Sequence, residues 1–212
     1  MTRGSRSSAR PPATGPIPEP VLVEIEQHLR EREERREEVF RTARSLRRRA
    51  QATIARLHGP TEATADVAEI RRLLAGLARE LDAGGRADLP LALDALQEGV
   101  EAALLGAIAA GERLPSPTEL GVDPEPYLLG LGDVVGEVRR RVTDALSHDD
   151  LTAAEAGLAL MQALTDALRR FDTARAIVVL KPKQDQARSL LERTRGEVVM
   201  ARLLARSRRG RP

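Results

Sequence analysis

Hydrophobic residues recur at helical spacing along most of the chain, and Gly and Pro residues divide this pattern into segments. The first segment is the longest, because it continues from about Val21 to His58 before Gly59 and Pro60 end it. A helix of more than about 25 residues usually packs against partners outside itself. Further helices are predicted at about 61–82, 88–111, from 123 onwards, 151–171 and 173–206, with a short turn at 116–117 and an interruption at Pro182.

The hydrophobic residues themselves indicate an all-α fold. Most of them are Ala, Leu and Val, whereas aromatic residues account for 1% of the chain. Such small side chains favour closely packed helices, and almost no strand pattern interrupts them. We predict a single domain of six to seven helices over residues 21–206, a disordered Pro-, Ser- and Arg-rich tail at 1–20 and a basic tail at 207–212.

Two absences exclude whole classes of protein. The 212 residues include no cysteine, which rules out disulfide and thiolate–metal frameworks and fits a reducing compartment. The longest uncharged run in the middle of the chain, residues 102–111, is too short to cross a bilayer. We therefore expect a cytoplasmic protein that makes no membrane contact.

Positive charge is carried almost entirely by arginine. Only Lys181 and Lys183 are lysines among the 34 basic residues, and the formal net charge is +2. The guanidinium group binds phosphate through a planar fork and stacks on bases, which suits a nucleic-acid partner. A GC-rich genome that encodes Arg and Ala throughout explains the same composition, so composition alone leaves both interpretations open.

Two pairs of acidic residues lie at helical spacing. Glu98 and Glu101 are three apart in the third predicted helix, and Asp133 and Glu137 are four apart in the fourth. Each pair therefore occupies one helix face, and Glu101, at the flank of an apolar stripe, is expected to be half-buried. If the helices pack side by side, the four carboxylates converge, and Mg²⁺ would cancel their repulsion. Alternatively, each acid pairs with a nearby arginine, for which the candidates are Arg139, Arg140 and Arg141.

Glycines inside the fourth predicted helix need an explanation. Gly130, Gly132 and Gly136 each cost about 1 kcal/mol relative to alanine in a helix. They indicate that another helix or a phosphate backbone comes very close, or that the acids beside them perform chemistry. The G-x-G of this segment does not predict a dinucleotide loop, because no strand precedes it. The three histidines are scattered, as expected of surface or packing residues.

One segment resembles the hallmark of a known family. It reads YLLGLGDVVGEVRR, residues 127–140, and the hallmark of the translin family reads approximately Y-L-x-G-x-x-D-x-x-G-E-L-x-R. The family's first helix is similar to REEVFRTARSLRRRAQATIARLHG (36–59), and its C-terminal basic helix to LKPKQDQARSLLERTRGEV (180–198). The resemblance extends from about residue 22 to 206. Pro182 replaces a basic residue of the family pattern, and we expect it to kink the last helix.

The family contains nucleic-acid-binding members and Mg²⁺-dependent ribonucleases similar to translin-associated factor X. The resemblance is to this catalytic branch, because the Glu-x-x-Glu pair of one helix and the Asp and Glu of the hallmark are all present. It implies that Glu98, Glu101, Asp133 and Glu137 are catalytic residues that hold one or two Mg²⁺ ions, with Mn²⁺ as a substitute. Asp133 and Glu101 are the leading candidates for direct ligation, and Glu98 could act through water.

The same resemblance implies a closed, hollow homo-oligomer, an octamer, that binds single-stranded RNA and by extension single-stranded DNA. Gly130 and Gly136 would leave room for the ions and the RNA backbone. The favoured hypothesis is a metal-dependent endoribonuclease. The alternative is a non-catalytic single-stranded RNA- or DNA-binding oligomer with structural acids, and a helical scaffold without nucleic acid is the third. The expected phosphate contacts are Arg44, Arg48, His58, Lys181 and Lys183.

Overall fold

The computed structural model describes residues 17–59, 63–84, 87–171 and 178–209. Every regular element within these ranges is an α-helix, which confirms the all-α prediction. None of these helices is long and apolar enough to cross a membrane. Most of the predicted N-terminal tail and residues 210–212 lie outside the described ranges. The seven helices are α1 (Glu19–Leu57), α2 (Thr64–Ala83), α3 (Leu89–Ala109), α4 (Pro117–Leu120), α5 (Pro124–Ser147), α6 (Leu151–Arg169) and α7 (Lys181–Arg209).

The chain divides within α1 into two compact units. The first unit ends at Glu38, and its described part consists of the N-terminal half of α1, in which every residue is exposed. The second unit begins at Val39 and contains the C-terminal half of α1 together with α2–α7. All of the acidic residues singled out above belong to the second unit.

The core of the second unit is built around α3. Residues 99–107 of α3 are buried on every side of the helix, whereas its sequence suggested a single apolar stripe. Small residues allow this packing: a Cβ at Gly99 would lie 2.6 Å from Leu74 Cδ2 of α2. On its other sides α3 packs against α5, which in turn packs against α6 and α7. The helix that carries Glu98 and Glu101 is therefore the centre of the bundle.

The helix ends follow the predicted signals, with one correction. Ser116 caps α4 through a capping box with Glu119, so the segment predicted to be a short turn begins a one-turn helix. The predicted kink at Pro182 is wrong, because residues 178–180 are not helical and α7 begins at Lys181. Pro182 lies in the first turn, where a missing backbone N–H breaks no helical hydrogen bond. The predicted start of the second helix, at about residue 61, lies outside the described residues.

Candidate functional site

The two acidic pairs lie on helices that pack side by side. Glycine makes the contact close: a Cβ at Gly130 of α5 would lie 2.7 Å from the backbone oxygen of Gln97 on α3. Any larger residue would force the two helices apart. The expectation that Gly130 leaves room for ions or RNA is therefore wrong, since α3 fills this space. Gly136 has more room, because a Cβ there would meet nothing nearer than Leu190 Cδ1 at 3.9 Å.

Two of the acids are held by side chains from α1 and the residue that follows it. The Nε2 of Gln51 donates a hydrogen bond of 3.2 Å to Glu98 Oε1. The Nε2 of His58 contacts Glu137 Oε2, and the His58 side chain is only 4% exposed. The C-terminal half of α1 therefore closes one side of the acidic cluster.

Asp133 has partners on both of its carboxylate oxygens. Lys183 Nζ donates to Oδ1, and Gln97 Nε2 donates to Oδ2. The lysine stem lies against Gly132, where a Cβ would be only 2.8 Å from Lys183 Cβ. Gly132 thus gives the start of α7 the close approach to α5 that this ion pair needs.

Glu101 is the exception among the four acids. It is 8% exposed, less than the half-burial expected from sequence, and none of the described residues forms a hydrogen bond or ion pair with it. Burial raises the pKa of Glu101 to about 8, and the negative charges of Asp133, Glu137 and Glu98 add to the effect. Lys183 acts in the opposite direction. The four carboxylates therefore form one electrostatic cluster, hereafter the carboxylate cluster.

Within the described residues, the arginines nearest in sequence form no ion pair with this cluster. Arg139 forms an ion pair of 2.9 Å with Glu197 of α7. Arg141 donates to the backbone oxygen of Leu57 at 3.3 Å, and burial lowers its pKa, against an opposing effect of Glu137. Among the residues that the structure describes, Lys183 forms an ion pair with Asp133, and the His58 ring contacts Glu137.

The donor chemistry of the carboxylate cluster suits a hard divalent cation, because all four candidate ligands offer carboxylate oxygens. As the side chains lie, no group of three or more His, Cys, Asp or Glu residues within the described ranges could hold a metal ion. The contacts account for this, since Lys183 holds Asp133 and His58 holds Glu137. A metal ion would require these acids to exchange partners and turn towards Glu101.

The residues expected to contact phosphate lie in two environments. Arg44, Arg48 and Lys181 are exposed, the first two on α1 and the third at the start of α7. His58 and Lys183 lie within the carboxylate cluster and not on an exposed basic face. Their assignment as phosphate contacts stays a prediction.

Sequence reasoning missed two neighbours of the cluster, Gln51 and Gln97. Gln97 lies four residues before Glu101, so helical spacing already placed both residues on one face of α3. Gln51 had no comparable signal, because it meets Glu98 only when α1 and α3 pack together.

Comparisons with known proteins agree with this architecture. No protein-family model matches the chain. An uncharacterized protein of Methanocaldococcus jannaschii is 40% identical over 104 residues, which cover 49% of this chain and 47% of that protein. The chain thus matches about half the length of this relative.

Three solved structures are similar over most of the chain. The crystal structure of AfC3PO has a TM-score of 0.78 and 30% identity, with 87% of this chain and 98% of that chain covered. AfC3PO in complex with duplex RNA has a TM-score of 0.77 and 29% identity, with 87% and 97% covered. Apo-NeC3PO has the same fold, with a TM-score of 0.75 and 21% identity. The similarity covers 89% of this chain and 100% of that chain.

Fold and site together define an all-α protein in which two packed helices carry a partly buried carboxylate cluster. C3PO structures are translin-family proteins, and AfC3PO is 30% identical to this chain with 98% of its own length covered. The chain belongs to the translin-like family.

Proposed function

We propose that the protein is a Mg²⁺-dependent endoribonuclease that binds and cleaves single-stranded RNA, as in the catalytic branch of its family. The main support for this proposal is the environment of Glu101. The charged form of a carboxyl group that is 8% exposed and has no partner among the described residues is unfavourable unless a proton or a cation joins it. The three carboxylates around it increase this need, because each of them raises its pKa further. A divalent cation would satisfy all four groups at once.

The proposed direct ligands are Asp133 and Glu101, one from each helix, with Glu137 beside them. Glu98 is hydrogen-bonded to Gln51 and would act through water. A bound Mg²⁺, or Mn²⁺ in its place, would lower the pKa of an attacking water and stabilise charge on the scissile phosphate. The chain's own contribution is rigidity, because both acidic pairs lie on helices and not on loops.

RNA is the polymer that the family supports best, since AfC3PO has been solved with duplex RNA. The exposed Arg44, Arg48 and Lys181 would hold phosphates, and His58 and Lys183 would act at the cluster. Aromatic residues are only 1% of the chain, so base stacking would contribute little and affinity would fall steeply with salt. Single-stranded DNA would bind through the same contacts.

A non-catalytic single-stranded RNA- or DNA-binding protein is the second candidate. One observation favours it: Lys183 and His58 already pair with two of the acids, as they would in a purely structural cluster. The two candidates differ in a single property, which is cleavage that depends on a divalent metal.

We also propose that the chain assembles into a closed, hollow homo-oligomer, an octamer. Apolar side chains at helical spacing lie exposed on α7, where water contact is unfavourable and a neighbouring copy could cover them. These residues are Val199, Met200, Leu203 and Leu204, each at least 46% exposed.

The test is a cleavage assay with labelled single-stranded RNA and the matching duplex, in Mg²⁺, in Mn²⁺ and in EDTA. Asp133→Asn and Glu101→Gln keep the side-chain shapes and remove one charge each. Asp144→Asn is the matched control, because Asp144 is an exposed aspartate on the same helix as Asp133. We expect metal-dependent cleavage by the wild type and the control, and RNA binding without cleavage by the two cluster variants.

Cleavage by Asp133→Asn and Glu101→Gln at the wild-type rate would show that the site is misassigned. RNA binding without cleavage by the wild type, with either metal, would favour the binding-only function. Faster cleavage of the duplex than of the single strand would support the endoribonuclease activity but show that the substrate is double-stranded RNA.

A further inference from the structure

Lys183 occupies an unusual position for a lysine in this chain. Lys181 and Lys183 are the only lysines among 34 basic residues, and both lie in the first turn of α7, which has no acidic residue. A helix N-terminus carries partial positive charge, so basic side chains there oppose the helix dipole. Local helix stability therefore does not explain why Lys183 is at this position.

The tertiary contacts of Lys183 do explain it. Its ammonium pairs with Asp133 Oδ1, and the two side chains are 23% and 21% exposed. Its stem runs along Gly132, with Lys183 Cβ, Cγ and Cδ at 2.8, 3.2 and 3.4 Å from the position that a Cβ at residue 132 would take. An ammonium is a compact point charge on an unbranched stem. It fits the narrow space beside Gly132 better than the broad guanidinium group of arginine.

We propose that Lys183 is the resident cation of the carboxylate cluster, which holds Asp133 in the metal-free protein and competes with a divalent cation for it. The inference rests on the proposed metal site. Both oxygens of Asp133 have partners, Lys183 and Gln97, whereas Glu101 has none among the described residues. A divalent cation shared by Glu101 and Asp133 would stand close to the ammonium and repel it.

The competition has a structural consequence. Metal binding would release the Lys183 side chain from Asp133 while the helices stay packed, because the contact at Gly130 does not involve Lys183. The released ammonium would then be available to an RNA phosphate. Lys183 would thus neutralise Asp133 in the metal-free protein and contact substrate in the metal-loaded one.

The experiment measures Mn²⁺ binding to the full chain by titration calorimetry, and melting temperatures in EDTA and in saturating Mn²⁺. Lys183→Gln removes the charge, and Lys183→Arg keeps it. Arg188→Gln is the matched control, because it removes one positive charge from an exposed residue of α7 that pairs with Asp185, outside the cluster. None of these readouts depends on catalysis.

We expect Lys183→Gln to bind Mn²⁺ roughly fivefold or more tightly than the wild type, because a like charge a few ångströms away is gone. In EDTA it should melt below the wild type, and saturating Mn²⁺ should close this gap. Lys183→Arg should bind Mn²⁺ more weakly than Lys183→Gln, because it keeps the positive charge, and Arg188→Gln should match the wild type in both measurements.

Unchanged or weaker Mn²⁺ affinity of Lys183→Gln, with the wild type binding the metal, would overturn the competition while leaving the proposed metal site intact. Absence of binding to both proteins would overturn both inferences together. Mn²⁺ binding to Lys183→Gln but not to the wild type would be the strongest support, because Lys183 by itself would then prevent metal binding.

Discussion

Replacing Glu101 by glutamine probes the electrostatics of the carboxylate cluster without reference to catalysis. Glutamine resembles a protonated glutamate and carries no charge. Burial and the neighbouring acids raise the pKa of Glu101 in the folded protein from 4.5 to about 8. Between these two values the folded state binds a proton that the unfolded state has released. The free energy of unfolding of the metal-free wild type therefore falls as pH rises through this window.

The size of the effect follows from the pKa values, at about 1.4 kcal/mol per unit. At about pH 5.5, one unit above the ordinary value of 4.5, the shift costs the wild type about 1 kcal/mol. At about pH 7 the cost is about 3 kcal/mol. Glu101→Gln lacks this proton linkage, so its stability relative to the wild type should improve by about 2 kcal/mol between the two conditions.

Urea unfolding followed by circular dichroism, in EDTA and at one protein concentration, measures this difference. Glu192→Gln provides the control, because it makes the same replacement at an exposed residue of α7 outside the cluster. Saturating Mg²⁺ should stabilise the wild type and remove the advantage of Glu101→Gln. An advantage that is equal at both pH values would refute the pKa argument.

Three further predictions concern packing, RNA binding and assembly. Gly130→Ala places a Cβ 2.7 Å from the Gln97 backbone oxygen and should destabilise the fold by about 1–3 kcal/mol in thermal melts. Gly136→Ala should be tolerated in the same melts, because the nearest atom to its Cβ is 3.9 Å away. Charge reversal of Arg44 and Arg48 should weaken RNA binding and flatten its salt dependence in fluorescence anisotropy, and unchanged values would exclude both contacts. Light scattering at micromolar concentration should give the mass of an octamer, and a monomer would contradict the proposed assembly.

Local sequence signals predicted the helices well because they act within one or two turns. The capping box of Ser116 and Glu119 starts α4 where the Ser-Pro pair predicted a short turn. Pro182 shows where a local signal was read wrongly. Proline disrupts a helix interior but suits a first turn, and only the observed start of α7 at Lys181 distinguishes the two cases.

Helical spacing predicted which acids of the candidate site share a helix face, but not their environment. The i+3 and i+4 spacings place Glu98 with Glu101 and Asp133 with Glu137 on single faces. Spacing did not predict how deeply Glu101 is buried, because all sides of α3 at residues 99–107 are covered by other helices. Its pKa of about 8 arises from this burial and from acids on a second helix.

The sequence by itself determined which segments are helical, which acids share a face, and which family the chain resembles, because these properties depend on neighbours along the chain. The tertiary structure alone decided which cation meets which acid. Arginines 139–141 follow Asp133 closely, yet its partner is Lys183, 50 residues further on. That choice depends on α7 lying across Gly132 of α5, and packing of this kind is a property of the assembled helices, which no single segment encodes.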